Sequence, residues 1–405
     1  MNTTMSLDEI LAIVLEDLAP LEMIALAPRD ALGLVLAQPI ISDESVPRFA
    51  NSAMDGYAMR SKDTCEDGVF LHIVGATMAG DKGANALTSN QAVRIMTGAP
   101  IPEGADAVCM FEETSELDGR VHIPRALAPG TNIRLPGEDI LAGMEVFSKA
   151  TTLGPTHLGV LASIGVTSVR VHRRPVVGVL SCGDELVHAD VTPGPGQIRD
   201  ANRPALLAVV ATFGALAVDL GIAGDDEPAL IDRIDSVRTG CDLLITSGGA
   251  SGGDRDSIAS ALEKVSGARR VHSIRAAIRP AKPLVFAMLG EPGLPVFGLP
   301  GNPVSALVAF EIFVKPALRK LAGQREFIDR AMAGVAESDF PRSQDGKVHF
   351  VRANAHIDQS GTWHVSPSRG QGAHMLLAMA HSNALVMLRD GEGTKEGERV
   401  EFRLL

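Results

Sequence analysis

Four short segments carry side chains suited to holding anions or hard cations. The densest is Thr246-Ser247-Gly248-Gly249-Ala250-Ser251-Gly252-Gly253-Asp254-Arg255-Asp256, which follows an apolar run and precedes a helical pattern. Its small residues let backbone N–H groups approach an anion, and a helix N-terminus adds positive potential. The spacing is neither GxGxxG nor a Walker loop, and a flexible turn with an Asp cap is the plainer reading. The second segment, Ser181-Cys182-Gly183-Asp184-Glu185-Leu186, sets two carboxylates at the end of an apolar run, and Asp225-Asp226 follows another, Leu220-Gly221-Ile222. Carboxylates so placed suit Mg²⁺, which takes oxygen ligands and shares them with phosphates. Solvated acidic turns have the same composition. The third is basic: Arg275, Arg279 and Lys282, the last two within Ile278-Arg279-Pro280-Ala281-Lys282-Pro283. Arg and Lys recognise oxyanions, although an exposed basic loop is the alternative. The fourth is Gly298-Leu299-Pro300-Gly301-Asn302-Pro303-Val304-Ser305. Pro303 suits a first helical position, and the N–H groups after it, with the Ser305 hydroxyl, form a second anion-binding helix start or a rigid cap.

Positioning these groups on one edge requires an α/β layer. Val176–Ser181, Leu216–Ile222, Leu243–Ser247 and Leu284–Met288 read as strands. Asn202–Phe213, Glu227–Val237, Asp256–Val265 and Pro303–Leu321 read as helices between or after them. This alternation implies a parallel sheet with helices on both faces, and ligands in such sheets bind beyond the carboxyl ends of the strands. Upstream, Ser6-Leu7-Asp8-Glu9 reads as a capping box opening a helix to about Asp17. Short apolar runs between Gly- and Pro-rich turns make 46–137 β-rich. Leu153–Val171 is expected to pack with the N-terminal helix, making the first domain, 1–45 and 138–174, discontinuous. The α/β/α domain spans 175–328, and 329–405 reads as a compact β domain. Within 46–137, Asn51-Ser52-Ala53-Met54-Asp55-Gly56-Tyr57-Ala58 and Arg94-Ile95-Met96-Thr97-Gly98-Ala99-Pro100 read simply as turns.

Composition narrows the chemistry. A chain of 405 residues, 45% hydrophobic and 21% charged, has ample material for folded cores. A net charge of −12 excludes a uniformly basic nucleic-acid surface. Yet Lys264 to Gly290 holds six basic residues and no acidic one, a local cationic edge that the global charge conceals. With one Trp, one Tyr and 13 Phe, stacking platforms are scarce, so a ligand is expected to be held by backbone and polar groups. The four cysteines form no CxxC pair, the eleven histidines no HExxH, and no apolar run suits a membrane span. A cytoplasmic protein is expected.

The strings PRFANSAMDGYAMRS, RIMTGAPIPEGADAV, NIRLPGEDI, SCGDEL, TSGGASGGDRD and FGLPGNPVSA, running in that order from Pro47 to Ala306, together resemble the molybdopterin molybdenumtransferase family, the MoeA type shared with the C-terminal domain of gephyrin. His349-Phe350-Val351-Arg352 and Gly370-Gln371-Gly372-Ala373-His374 extend the resemblance more loosely. It implies an elongated, four-domain, multidomain fold of α/β and β-rich parts around a central three-layer α/β/α domain, assembled as a homodimer. It further implies that adenylylated molybdopterin is hydrolysed and molybdate inserted at the dithiolene, giving molybdenum cofactor and AMP. The site would lie between the α/β domain of one subunit and the β-rich domain of the other.

Carried over by position, the resemblance makes Asp55, Thr97, Glu185, Asp225, Asp256 and Lys282 catalytic, with Glu185, Asp225 and Asp256 as ligands of Mg²⁺. Ser247, Gly248, Gly249, Ser251, Arg275, Arg279, Pro300, Pro303 and Ser305 would bind substrate, and Arg352 would help bind molybdate. Implied partners are the molybdopterin adenylyltransferase and molybdoenzyme apoproteins, with neither nucleic acid nor membrane. Four positions depart from the pattern. The usual Lys-Pro-Gly-Lys-Pro is Arg279-Pro280-Ala281-Lys282-Pro283, Arg275 replaces a common Lys, and Ala373 stands where relatives carry a Ser implicated in molybdate binding. A divergent paralogue acting as a cofactor-binding scaffold, or an adenylyltransferase, are the rival readings. The retained carboxylates weigh against a scaffold, which has no need of mutually repelling charges.

Overall fold

The computed structural model describes residues 4–81, 86–249, 257–291 and 293–405. Its largest layer is a seven-stranded sheet. In chain order the elements of this layer are β1 (Thr4–Met5), α1 (Leu7–Glu16), β2 (Val176–Cys182), α2 (Asn202–Phe213), β3 (Leu216–Ala223), α3 (Glu227–Ser236), β4 (Leu243–Ser247), α4 (Ser257–Lys264), β5 (Ala268–Ala276), β6 (Pro283–Leu289), β7 (Leu294–Leu299) and α5 (Pro303–Ala309). A π-helical turn, Phe310–Val314, joins α5 to a last helix, α6 (Lys315–Leu321). The strands lie in the order β1-β5-β6-β7-β4-β2-β3.

The expected all-parallel sheet is corrected here. β2, β3, β4 and β7 run parallel, but β6 is antiparallel to both β5 and β7. The chain turns back on itself on either side of β6, with no helix to carry a parallel crossover. β5 itself was unforeseen. Arg269, Arg270, His272 and Arg275 interrupt its apolar pattern, because it is half-exposed beside the two-residue strand β1.

Helix α1 opens with the expected capping box: the Glu9 N–H donates to Ser6 Oγ at 3.3 Å, and the Ser6 N–H to Glu9 Oε2 at 2.8 Å. Its packing differs from expectation. Ile10, Leu11 and Val14 lie in the core of the α/β layer with Val177, Leu318 and Leu321. Leu153, Leu161, Val169 and Val171 instead pack on Ala31, Leu34 and Leu36. There the strand Met23–Leu26 pairs with Val169–His172, and Ile40–Ile41 with Glu145–Phe147. The apolar stripe of α1 matches the larger core, so α1 leaves the segment that follows it.

Between these segments, residues 56–123 form a six-stranded sheet over Tyr57, Met59, Leu71 and Val121. The C-terminal strands Met332–Ala336, Val348–Ile357, Trp363–Pro367, Ala384–Leu388 and Arg399–Leu404 close into a small barrel. Ile278–Arg279, just after β5, adds to that barrel in parallel with Val348–Ile357. Phe350, Met379 and Leu385 insert into the α/β core. No described helix is long and apolar enough to cross a membrane.

Candidate functional site

Because β2, β3, β4 and β7 are parallel, their carboxyl ends share one edge, and the sequence places its Gly- and Asp-bearing turns there. The Asp225 N–H donates to Asp184 Oδ1 at 3.0 Å, so the turns after β2 and β3 are joined. Glu185 is exposed beside them, its carboxylate folded over Gly183. Asp226 instead caps α3 by accepting the Ala229 N–H at 3.1 Å. Ser257 Oγ donates to Asp225 Oδ1 at 3.3 Å, which brings the start of α4 to the same edge. Asp256 and Ser251 lie outside the described residues. Among the described residues no three acidic or imidazole groups converge as a metal cage.

Gly248 follows β4 with φ +89°, and a Cβ there would sit 2.1 Å from the Cys182 carbonyl oxygen. Gly249 has φ +69° and is bounded by Ile258 and Ser257. Only glycine permits both the left-handed backbone and so close an approach. The Gly248 N–H donates to the Leu299 carbonyl at 3.2 Å, tying β4 to β7. The resulting cleft, about 140 Å³, is lined by Cys182, Glu185, Asp200, Asn202, Ser247 and Gly248, with Gly301 and Pro303 forming another wall. Burial pushes the Cys182 thiol up to about 12, and Asp225 and Asp200 add to the effect, so this cysteine is no nucleophile at neutral pH.

Asn202 was missed by sequence reasoning. Its Nδ2 donates to Ser247 Oγ at 2.7 Å and to the Gly301 carbonyl at 2.8 Å, bracing two turns from the start of α2. Asp200 caps that helix through the Asn202 and Arg203 N–H groups, both at 3.1 Å, and pairs with Arg203 Nε at 3.0 Å. The Asp-Ala-Asn run before Pro204 is the one sequence signal that marks this helix start.

A second, larger groove of about 920 Å³ is lined by the Ile278–Pro283 segment, the start of α5 and one side of the barrel. Arg279, Lys282, Ser305, Lys347, His349 and Arg369 contribute to its lining. Arg279 and Lys282 are exposed and Ser305 is buried. Ala281 holds φ +72°, the conformation that the Gly of the usual pattern adopts freely. Ala373 also lines the groove, and its carbonyl accepts the Val304 N–H at 3.1 Å.

Not every expected residue reaches a cleft. Arg352 is 1% exposed, and its Nη2 donates to the Gly370 carbonyl at 2.6 Å and the Gly372 carbonyl at 3.2 Å. Its backbone N–H donates to Gln371 Oε1 at 3.1 Å. Burial pulls the guanidinium below its ordinary value. Arg352 therefore shapes the 370–372 turn. Pro300 is buried behind the turn it stiffens. Arg275 is half-buried at the end of β5.

Asp55 and Thr97 meet each other. Asp55 Oδ1 accepts the Thr97 N–H at 2.7 Å and the Thr97 hydroxyl at 2.8 Å. Those two bonds, the backbone one first, hold the exposed carboxyl below its usual range. The two loops that periodicity left without a role thus form one motif, on the 56–123 sheet. Neither Asp55 nor Thr97 lines the strand-end cleft.

Family models agree with this geometry. The MoeA N-terminal region (domain I and II) matches residues 5–165, a probable molybdopterin binding domain matches 178–320, and the MoeA C-terminal region (domain IV) matches 334–405. A molybdopterin molybdenumtransferase of Haemophilus influenzae is 37% identical over 98% of this chain and 97% of its own length. Molybdopterin molybdenumtransferase 1 of Mycobacterium tuberculosis is 31% identical over 96% and 98%. The crystal structure of the molybdopterin biosynthesis moeA protein of Pyrococcus horikoshii superposes with a TM-score of 0.84 at 27% identity, covering all of both chains. Glycine cradle, strand-end carboxylates and cationic groove thus sit in a chain that belongs, over its whole length, to the molybdopterin molybdenumtransferase family.

Proposed function

We propose that this protein inserts molybdate into adenylylated molybdopterin and releases AMP, in the cytoplasm and as a homodimer. One observation carries the reading. The turn Gly301–Ser305 is a wall shared by both sites: Gly301 and Pro303 line the strand-end cleft, while Asn302 and Ser305 line the groove. A substrate with a phosphate at one end and an oxyanion beside its other end needs two such neighbouring sites. The backbone N–H groups near Gly248 and Gly249 would receive the nucleotide part, and Arg279, Lys282 and Ser305 would orient molybdate.

The oxygen donors of Glu185 and Asp225 suit Mg²⁺, and with Asp256 they would hold it; once bound, the ion offsets charge on the bridging phosphate. The remaining work belongs to the chain. Asn202 fixes the Ser247 and Gly301 turns, Arg352 fixes the 370–372 turn, and the low thiolate fraction of Cys182 keeps that sulfur from competing for molybdenum. Asp55, held ionised by Thr97, would come from the second subunit to complete the cleft.

The test is AMP release from adenylylated molybdopterin with molybdate and Mg²⁺. Release is expected, falling by about 100-fold or more in Asp225→Asn, as loss of a transition-state charge contact of several kcal/mol implies. A wild-type protein that releases no AMP would reject the transferase reading. Release unaltered in Asp225→Asn and Asp256→Ala would reject the site.

A further inference from the structure

The groove contains a charged cluster that neither the sequence reading nor the family resemblance assigned. His349 is 8% exposed and lines the groove. Its Nε2 lies 3.1 and 3.2 Å from the two oxygens of Asp345. Lys347 Nζ donates to Asp345 Oδ2 at 3.1 Å, and Arg342 Nη2 reaches Asp345 Oδ1 at 3.2 Å. Asp390 accepts a second Arg342 bond at 2.7 Å, so the buried Arg342 is divided between two carboxylates. Burial alone would raise Asp345, but hydrogen bonds from Lys347 and His349 overcome it and hold the carboxyl down at about 2. In the parallel pair that joins Ile278–Arg279 to the barrel, Arg279 stands in register with His349. Leu388 flanks His349 from the other side. Register partners share a face of the sheet. The groups around the imidazole are therefore Asp345, Lys347 and Arg342 from its own hairpin, Asp390 from the next turn, Arg279 from the adjoining strand, and an apolar side chain.

We propose that His349 sets the charge that the groove presents to its oxyanion, with Asp345 as the hinge of that setting. This rests on the reading of the groove as an oxyanion site. When the imidazole is neutral, the Asp345 carboxylate cancels the Lys347 ammonium, and the His349–Asp345–Lys347 set is uncharged. When the imidazole is protonated, the set carries one net positive charge beside Arg279. No bond is made or broken apart from the imidazole proton. His349 is a positioning residue, acting through the charge balance of its neighbours, and His is the side chain whose charge changes near neutral pH. It also answers a departure noted above. At Ala373 the groove lacks the hydroxyl donor its relatives carry, and a titratable cation on the adjoining strand is a different means of tightening the same ligand.

The experiment is calorimetric binding of sulfate to the intact protein across about pH 5.5 to 8, where sulfate stays a dianion. Wild-type affinity is expected to fall about threefold to tenfold toward alkaline pH, the effect of losing one nearby positive charge in partly solvated surroundings. In His349→Gln that slope is expected to vanish. In His349→Lys tight binding is expected to persist at alkaline pH, and Asp345→Asn is expected to bind more tightly throughout. Thermal melts would establish that each variant is folded. The same slope in His349→Gln as in wild type would overturn the proposal, while loss of binding in Lys282→Ala would leave the groove reading standing. Wild-type protein that binds neither sulfate nor molybdate would overturn both.

Discussion

The strand-end cleft and the barrel groove are both proposed to receive anions, yet they are built from opposite materials. The cleft is made of backbone: glycines in left-handed conformations, carbonyl-to-amide ties between strands, and one half-buried side-chain amide, Asn202, bracing two turns. The groove is made of side chains, with exposed Arg279 and Lys282 on one wall and the Asp345-centred cluster on the other. A backbone site has fixed shape and little tolerance for substitution. A side-chain site is tuned residue by residue, and the departures from the pattern that the resemblance implies, Arg279, Ala281 and Ala373, all line it. The contrast teaches that what bars a Cβ at Gly248 is the main-chain oxygen beside it, since a left-handed φ alone is met by an alanine at Ala281.

The largest effect should come from Gly248→Ala. A methyl group 2.1 Å from the Cys182 carbonyl forces two strand ends apart. A stability loss of about 2–4 kcal/mol in urea unfolding, with AMP release abolished, is expected. Normal stability in this variant would break the claim that the cleft is backbone-built. Next is Arg352→Ala, which strands the Gly370 and Gly372 carbonyls and leaves a void, at about 2–3 kcal/mol. Arg352→Lys should not restore it, because a single ammonium lacks the guanidinium fork. Recovery of stability by Lys would mean that charge alone suffices there.

Lys282→Ala sharpens the comparison from the other side. Its exposed side chain should contribute less than about 0.5 kcal/mol to stability, while molybdate affinity drops about tenfold. A parallel loss of stability and affinity would show that the groove too is structurally committed. The smallest effect belongs to Ala281→Gly. The left-handed residue costs about 1–2 kcal/mol with a Cβ, and the extra freedom of unfolded glycine takes back about 0.5–1 kcal/mol. A net gain of up to about 1.5 kcal/mol, read as a higher urea midpoint at unchanged slope, is expected.

Much of the cleft could be read from the chain. Val176–Cys182 and Leu243–Ser247 are apolar runs that end abruptly in Gly and Asp, and a strand buried on both faces permits little else. The α1 capping box is equally local, because its capping bonds run only between Ser6 and Glu9. What could not be read depends on distant partners. β5 carries arginines because its environment is half solvent, so its own residues do not announce a strand. The reversal of β6 depends on turn geometry. The packing of α1 on the α/β core depends on which apolar surface is larger, a comparison that no single segment contains. Arg352 entered only through the resemblance, and its bonds to the Gly370 and Gly372 carbonyls depend on a turn far along the chain. Asn202 carried no periodic signal, since its function is to hold two loops remote in sequence.

The two-residue strand Ile278–Arg279 has a mechanical implication. It leaves the seven-stranded sheet at Ala276 and is stitched into the barrel almost at once, with the Val348 N–H donating to the Ala277 carbonyl at 2.9 Å. Phe350 and Leu385 anchor the barrel in the neighbouring core. The groove is thus a gap of set width between two bodies riveted together. Calorimetric melting of barrel and sheet should therefore register as one cooperative event.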